Sequence, residues 1–311
     1  MSVEPLLYLA RDEVAELLPP VDDQLDLVER TYRAVGAGDV ELPPKPGVHP
    51  RKDAFIHAMP AYLRGEDVAA LKWVGGYPEN KARGLPYISG LIVVNDAETG
   101  LPSAVMDAAE ITAARTAAAS GVCVRRWARA GWRAAAILGA GEQGRFHGRL
   151  LRELNPDAEL RAYDPHPERA AELARDVAVA GDPREAIAGA DVVVSAAPIV
   201  EDPDPPIGPD WLGPDTLALP IDFDAYFRAD AIEAADLFLV DDVEQFEYYR
   251  SLGHFRSWPE PAAGVGDALE RGLDGRRVAC CNLGIGALDA AFAAEVFQAA
   301  RERGLGTALP R

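Results

Sequence analysis

Hydrophobic positions recur with different rhythms along the chain, and the changes divide it into three regions. In the first, Leu25, Val28, Tyr32 and Val35 fall at helical spacing and predict a helix over Asp22–Val35. A proline-rich turn, Leu42-Pro-Pro-Lys-Pro46, follows. The short apolar segments Ala54–Met59, Val68–Val74 and Gly90–Asn95, separated by turn residues, read as strands of an antiparallel or mixed sheet. An alanine-rich helix is expected from about Asp107 to Arg129. In the middle region, Trp132–Leu138 and Leu160–Tyr163 read as strands, and Asp191–Ala196 and Thr216–Pro220 as further strands of the fully buried kind. Helical segments lie between them: Pro167–Val177, with proline in its first turn, and one opened by Asp182-Pro-Arg-Glu185, an N-cap, a proline at N1 and a capping acid. Strands alternating with helices predict a parallel, doubly wound sheet. The last region offers a strand at Arg276–Cys281 and an amphipathic helix, Ala287–Arg303, with Leu288, Phe292, Val296 and Ala299 on one side; it is expected to fold back on the first region.

At 311 residues with 49% hydrophobic and 26% charged positions, the chain can bury a full core, which excludes disorder and a disulfide-stapled miniature scaffold. No run approaches the roughly 18 apolar residues of a membrane helix. The net charge of −19, from 31 basic and 50 acidic residues, argues against a nucleic-acid partner, which needs a basic footprint. Three cysteines, Cys123, Cys280 and Cys281, without metal-ligand spacing, point to a reducing cytoplasmic setting and no metal. The opening residues lack the basic and apolar regions of a signal peptide.

The strand ending at Leu138 runs into Gly139-Ala-Gly141-Glu142-Gln143-Gly144 and then a helix, and Asp164 ends the next strand 20 residues beyond Gly144. This is the context a dinucleotide fingerprint demands. Gly139 permits the tight turn, Gly141 lets backbone amides reach a pyrophosphate, and Gly144 lets helix and strand pack closely. Glu142 and Gln143 open the helix, whose N-terminus favours anions. Asp164 suits the ribose hydroxyl of NAD, while His166 and Arg169 nearby leave NADP open. Ser195, near the end of its strand, joins the cofactor-binding set. The alternative is a structural glycine turn that binds nothing.

Two charges sit in apolar company. Strand alternation puts Lys72 on one face with Val68, Ala70 and Val74. Helical spacing puts Arg115 in a stripe with Ile111, Ala118, Ala119 and Val122. A buried guanidinium needs a carboxylate or phosphate, so Arg115 meets either a ligand or an internal salt bridge. Asp222 lies just past the Thr216–Pro220 strand, at the end where ligands of such sheets bind.

Several stretches together resemble the ornithine cyclodeaminase/mu-crystallin family: Met59-Pro-Ala61, Lys72-Trp-Val-Gly-Gly-Tyr-Pro-Glu-Asn80, Asp96-Ala-Glu-Thr-Gly100-Leu-Pro102, Thr112-Ala-Ala-Arg115-Thr116-Ala-Ala-Ala-Ser120, the glycine loop and Gly284-Ile-Gly-Ala-Leu-Asp289. The resemblance implies a homodimer, with a central Rossmann-type domain over 121–284. It also implies an α+β substrate and dimerisation domain built from both chain ends, 1–120 and 285–311. Family activities act at the Cα–nitrogen bond of amino or imino acids and include cyclodeamination of ornithine, alanine dehydrogenation and ketimine reduction. The matching positions imply that Lys72 and Arg115 hold the substrate carboxylate, that Thr116 touches cofactor phosphates, and that Asp222 is the acid/base near the substrate nitrogen.

Three features depart from the ornithine-cyclising pattern. Lys45 stands where that pattern has an arginine, His57 stands where it has an acid, and Phe223–Arg228 is unlike the usual segment. Lysine does not reproduce arginine's bidentate grip. His57 removes a partner for a second amino group and is itself a candidate second acid/base. The expectation is a nicotinamide-dependent oxidoreductase of a small amino or imino acid. The alternatives are ornithine cyclodeamination and a non-catalytic, crystallin-like dinucleotide binder.

Overall fold

The computed structural model describes residues 4–173, 176–200 and 202–310. It divides into two compact units, Met1–Arg115 with Gly284–Arg311, and Thr116–Leu283.

In the first unit, the described residues form one eight-stranded sheet in the order Thr307–Leu309, Leu6–Leu9, Pro102–Asp107, Ile88–Asp96, Val68–Gly76, Ala54–Leu63, Val40–Glu41, with the eighth strand, Gly47–Arg51, also paired to Ala54–Leu63. The central pairings are antiparallel, with Met59 opposite Lys72 and Lys72 opposite Ile92. Strict alternation buries Met59, Ala61, Ala70, Val74, Ile92 and Val94 on one face. Against that face lies the helix Gly286–Arg303, so close that a Cβ at Gly286 would sit 2.9 Å from the Met59 carbonyl oxygen. The helix Val21–Gly36 packs on it in turn. The strands Leu6–Leu9 and Thr307–Leu309, too short to show a period in the sequence, tie the two chain ends together in register.

The terminal helix corrects one expectation. From Gly286 to Ala293 it is buried on every side rather than along one stripe, and further on Ala300, not Ala299, is buried. Alanine and glycine make this possible: their small side chains let strands and helices approach from all directions, so no amphipathic pattern is required.

The second unit is an eight-stranded, wholly parallel sheet in the order Ala178–Val179, Glu159–Tyr163, Ala134–Leu138, Val192–Ser195, Leu217–Pro220, Val278–Cys281, Leu237–Val240, Ala263–Gly264. It is doubly wound, and strand order reverses direction at Ala134–Leu138, the position where such sheets bind ligands. Helix Pro183–Ile187 begins as its sequence dictates, with Asp182 accepting from the Glu185 amide and Glu185 accepting from the Gly181 amide. The helix expected over Pro167–Val177 is shorter, Pro167–Ala171, and residues 174 and 175 of that expectation lie outside the described residues. The left-handed backbone of Asp176 (φ 61°) is incompatible with its continuation.

The alanine-rich helix covers Ala109–Trp127, and the division between the units falls within it, after Arg115.

Candidate functional site

In the first unit the buried face of the sheet carries a cluster of charge. Lys72 is 1% exposed and Asp289, in the first turn of the helix Gly286–Arg303, is also 1% exposed. Lys72 Nζ donates to Asp289 Oδ1 at 2.7 Å and to Thr112 Oγ1 at 3.3 Å. Arg115 Nε donates to the same Asp289 Oδ1 at 3.0 Å. The other carboxylate oxygen, Oδ2, is buried without a hydrogen-bond partner. Of the two possibilities raised by Arg115 the internal salt bridge is present, and it sets two cations against a single carboxylate.

Burial pushes the Lys72 ammonium down from 10.5 to about 7; Arg115 and Lys45 add to that, and Asp289 opposes it. Lys45 is buried too, and its Nζ donates to the Gly284 carbonyl at 3.1 Å. Gly284 adopts φ +80°, and a Cβ there would lie 2.5 Å from Arg115 Nη1, so the guanidinium rests against bare backbone. His57 projects from the same sheet face, one pleat along the neighbouring strand from Lys72. It stacks on Phe55 at 4.2 Å between centroids and meets His49 edge-on at 6.2 Å. Lys45, Lys72 and Arg115 are thus gathered about Asp289 and Gly284, with His57 beside them.

In the second unit the glycine loop follows the strand Ala134–Leu138 directly, and the helix Glu142–Leu154 starts within it. Gly139 has φ +100°, and a Cβ there would meet the Ala196 carbonyl oxygen at 2.5 Å. A Cβ on Gly144 would meet the Gly139 carbonyl oxygen at 2.1 Å. Gly141 differs, because nothing lies within 4 Å of the position its Cβ would take. Two glycines are demanded by the protein's own packing, while the third leaves space for a group to approach the backbone. Asp164 is held by the Ala140 amide on Oδ2 and the His166 amide on Oδ1, both at 2.9 Å. Thr116 is buried, one residue past Arg115 on their helix. Glu142 and Gln143 occupy the helix's first turn. This loop, helix end and anchored acid suit the pyrophosphate and ribose of a dinucleotide.

Asp222, two residues past the strand Leu217–Pro220, is 1% exposed. Its Oδ1 accepts from Ser195 Oγ at 2.5 Å and its Oδ2 from the Ala197 amide at 2.8 Å. Burial raises its carboxyl from 3.8 to about 7, outweighing both hydrogen bonds. Ser195, expected among cofactor-binding groups, donates its hydroxyl to this acid. Phe223 holds a left-handed backbone (φ 61°), a conformation costing on the order of 1–3 kcal/mol. Its ring is wedged among Tyr249, His254 and Phe255, which keeps that backbone in place beside Asp222.

Sequence reading missed Asp289, although the signal that exposed Arg115, a charge inside an apolar helix, is present in Ala287-Leu-Asp289-Ala-Ala-Phe292. It also missed His147, buried on the helix Glu142–Leu154. Its ring nitrogens lie 2.8 Å from the Gln143 carbonyl oxygen and 2.9 Å from Ser120 Oγ, tying the glycine loop's helix to Ala109–Trp127. Among the described residues, no group of three or more metal-ligating side chains assembles, and no helix is long and apolar enough to cross a membrane.

A Rossmann-type sheet with this glycine loop defines a nucleotide-binding α/β protein. The chain belongs to the ornithine cyclodeaminase/mu-crystallin family, whose model matches residues 6–277. It is 38% identical to the nodulation efficiency protein NfeD of Rhizobium meliloti, over 98% of each chain. Its fold is similar to that of Δ1-pyrroline-2-carboxylate reductase from Thermococcus litoralis, solved in complex with NADH and L-proline. That match has a TM-score of 0.87, 26% identity, and covers 98% of this chain and 100% of the other. An archaeal alanine dehydrogenase, a dimer with bound NAD, matches with a TM-score of 0.84 and 27% identity, over 97% and 98% of the two chains.

Proposed function

We propose that the protein is a cytoplasmic, NAD-dependent oxidoreductase acting at the Cα–nitrogen bond of a small amino or imino acid. One observation carries this reading most: two buried cations, Lys72 and Arg115, share one oxygen of one carboxylate, an excess of desolvated positive charge suited to a ligand's carboxylate. The reductase and dehydrogenase relatives support the same chemistry.

Lys72 and Arg115 bind the α-carboxylate and fix the orientation of Cα, with Lys45 adding positive charge. The loop Gly139–Gly144, with Glu142 and Gln143 at the helix start, holds the dinucleotide pyrophosphate, Thr116 supports the phosphates, and Asp164 holds the ribose. When bound, the nicotinamide supplies a hydride to Cα, or receives one from it. Asp222 donates a proton to the imine nitrogen in reduction and takes one from the amine in oxidation. An acid whose proton leaves near pH 7 serves both directions at neutral pH. Ser195 and the Ala197 amide fix its orientation. His57 serves as a second acid/base on the substrate side.

NAD is preferred over NADP because Asp164 would repel a 2′-phosphate. The test is a screen following absorbance of the reduced nicotinamide with cyclic ketimines, and with keto acids plus ammonia or amines. Consumption of NADH supports the reading. Ammonia and proline from L-ornithine without net NADH change would instead make it a cyclodeaminase, and cofactor binding without turnover would make it a dinucleotide-binding protein.

A homodimer is part of the proposal. The outward face of the first unit's sheet carries Ile56, Ala58, Leu71, Trp73, Leu91 and Val93, with Trp73 opposite Leu91 in register and both well exposed. An apolar sheet face of this kind needs a cover. Trp73→Arg is expected to shift the protein to monomer in sedimentation, and an unchanged dimer would place the interface elsewhere.

A further inference from the structure

Asp289 is the one group in the first unit's charged cluster to which neither the sequence nor the proposed function gave a task. Its position is expensive. It is buried, it leaves Oδ2 without a donor, and a half-satisfied buried carboxylate is a net cost. Both cations nevertheless converge on its other oxygen, from a strand and a helix far away in sequence.

The manner of contact is informative. Arg115 reaches Asp289 through Nε, the inner nitrogen, and not through the fork of Nη1 and Nη2 that grips a carboxylate bidentately. That fork lies over the bare Cα of Gly284. Lys72 uses its shortest bond on Asp289 and a longer one on Thr112, and an ammonium has three donors. An ordinary salt bridge between arginine and aspartate would engage the fork and both carboxylate oxygens. Here the acid takes only the inner donor of the guanidinium.

We propose that Asp289 is the positioning residue of this site: through one oxygen it fixes Lys72 by Nζ and Arg115 by Nε, and so orients their remaining donors toward the substrate carboxylate. The inference rests on the reading that these two cations bind that carboxylate. Asp289 also supports the charge of Lys72. The groups acting on that ammonium are Asp289 from the terminal helix, Arg115 and Thr112 from the alanine-rich helix, and Lys45, while His57 lies one pleat along the adjoining strand. Asp289 is the acid among them.

The chain has four lysines, Lys45, Lys52, Lys72 and Lys81, so 13C-labelled lysine gives a readable NMR titration of the full-length protein. The Lys72 signal is assigned by its loss in Lys72→Met. In Asp289→Asn its midpoint is expected to fall by roughly one pH unit or more, because an opposing charge is removed. With the imino acid found by the screen, KM at neutral pH should rise about tenfold or more, recovering as the pH is lowered, while kcat changes little. Dinucleotide affinity should be unchanged. A purely structural role would lower thermal stability and activity at every pH without moving the Lys72 midpoint, and that result overturns the proposal.

Asp289→Glu covers the case in which the asparagine variant does not fold. It keeps the charge but displaces the oxygen by a methylene, so the Lys72 midpoint should stay near its original value while KM rises. An unaltered KM in that variant also overturns the proposal. A shifted Lys72 midpoint in a protein that turns over none of the screened compounds supports the hold of Asp289 on Lys72 and faults the functional reading instead.

Discussion

Lys72 and Asp222 present the same physical problem in opposite forms. Each is a fully buried ionisable group, one in each unit, and burial moves both to about 7, one downward and one upward. Their surroundings differ. Lys72 is held by a charged partner, Asp289, and crowded by other cations, whereas Asp222 sits in a cradle of neutral donors, Ser195 Oγ and the Ala197 amide. A group in a neutral cradle can exchange its proton without leaving a partner charge bare, which suits an acid/base. A group in a shared ion cluster loses its purpose with its proton, which suits a binding contact. This contrast is what supports the proposed roles, proton transfer for Asp222 and carboxylate recognition for Lys72.

The largest expected effect comes from removing the acid. Asp222→Asn should lower kcat by roughly 10²–10⁴-fold, the usual range for a general acid or base, with dinucleotide affinity retained. A loss mainly in KM would move Asp222 to the binding side of the comparison. Arg115→Lys keeps the charge and discards the fork; it should raise KM by about ten- to a hundredfold, matching the ~1.5–3 kcal/mol of a charged hydrogen bond, with a smaller change in kcat.

The two titrations predict a pH profile whose shape depends on direction. In reduction both groups work protonated, so log(kcat/KM) should be flat below about pH 7 and fall above it with a slope approaching −2. In oxidation Asp222 must be ionised while Lys72 stays protonated, so activity should peak narrowly near 7. Ser195→Ala removes a hydrogen bond that favours the ionised acid, and should carry Asp222's limb of the profile to higher pH. Identical profiles in both directions would dissolve the distinction.

The smallest effect separates fold from function within the glycine loop. Gly141→Ala fills open space and should leave thermal stability unchanged while weakening dinucleotide binding about tenfold. Gly144→Ala, forced against the Gly139 carbonyl, should destabilise the fold by ~1–3 kcal/mol as overpacking does.

Legibility in the sequence followed the range of the interaction. The parallel sheet, the loop Gly139–Gly144 and the cap at Asp182 could be read because period, glycine spacing and capping act over a few residues. The burial of Lys72 and Arg115 was also signalled locally, by charge set among apolar neighbours. Asp289 carried the same local signal, but its pairing with them did not show, because it lies 217 residues from Lys72 and 174 from Arg115. The terminal helix was misread as amphipathic because its alanines pack on all sides, and a pattern of large residues alone does not report that. The first and last strands were missed because each has too few residues to show alternation.

The most direct test of the division of labour is a crystal structure of the dead-end complex of NADH with the amino acid formed by the best imine of the screen. The account predicts the ligand carboxylate within hydrogen-bond distance of Lys72 Nζ and the Arg115 guanidinium, and its nitrogen within reach of Asp222. A carboxylate bound by other groups, with Lys72 and Arg115 engaged only by Asp289, would contradict it.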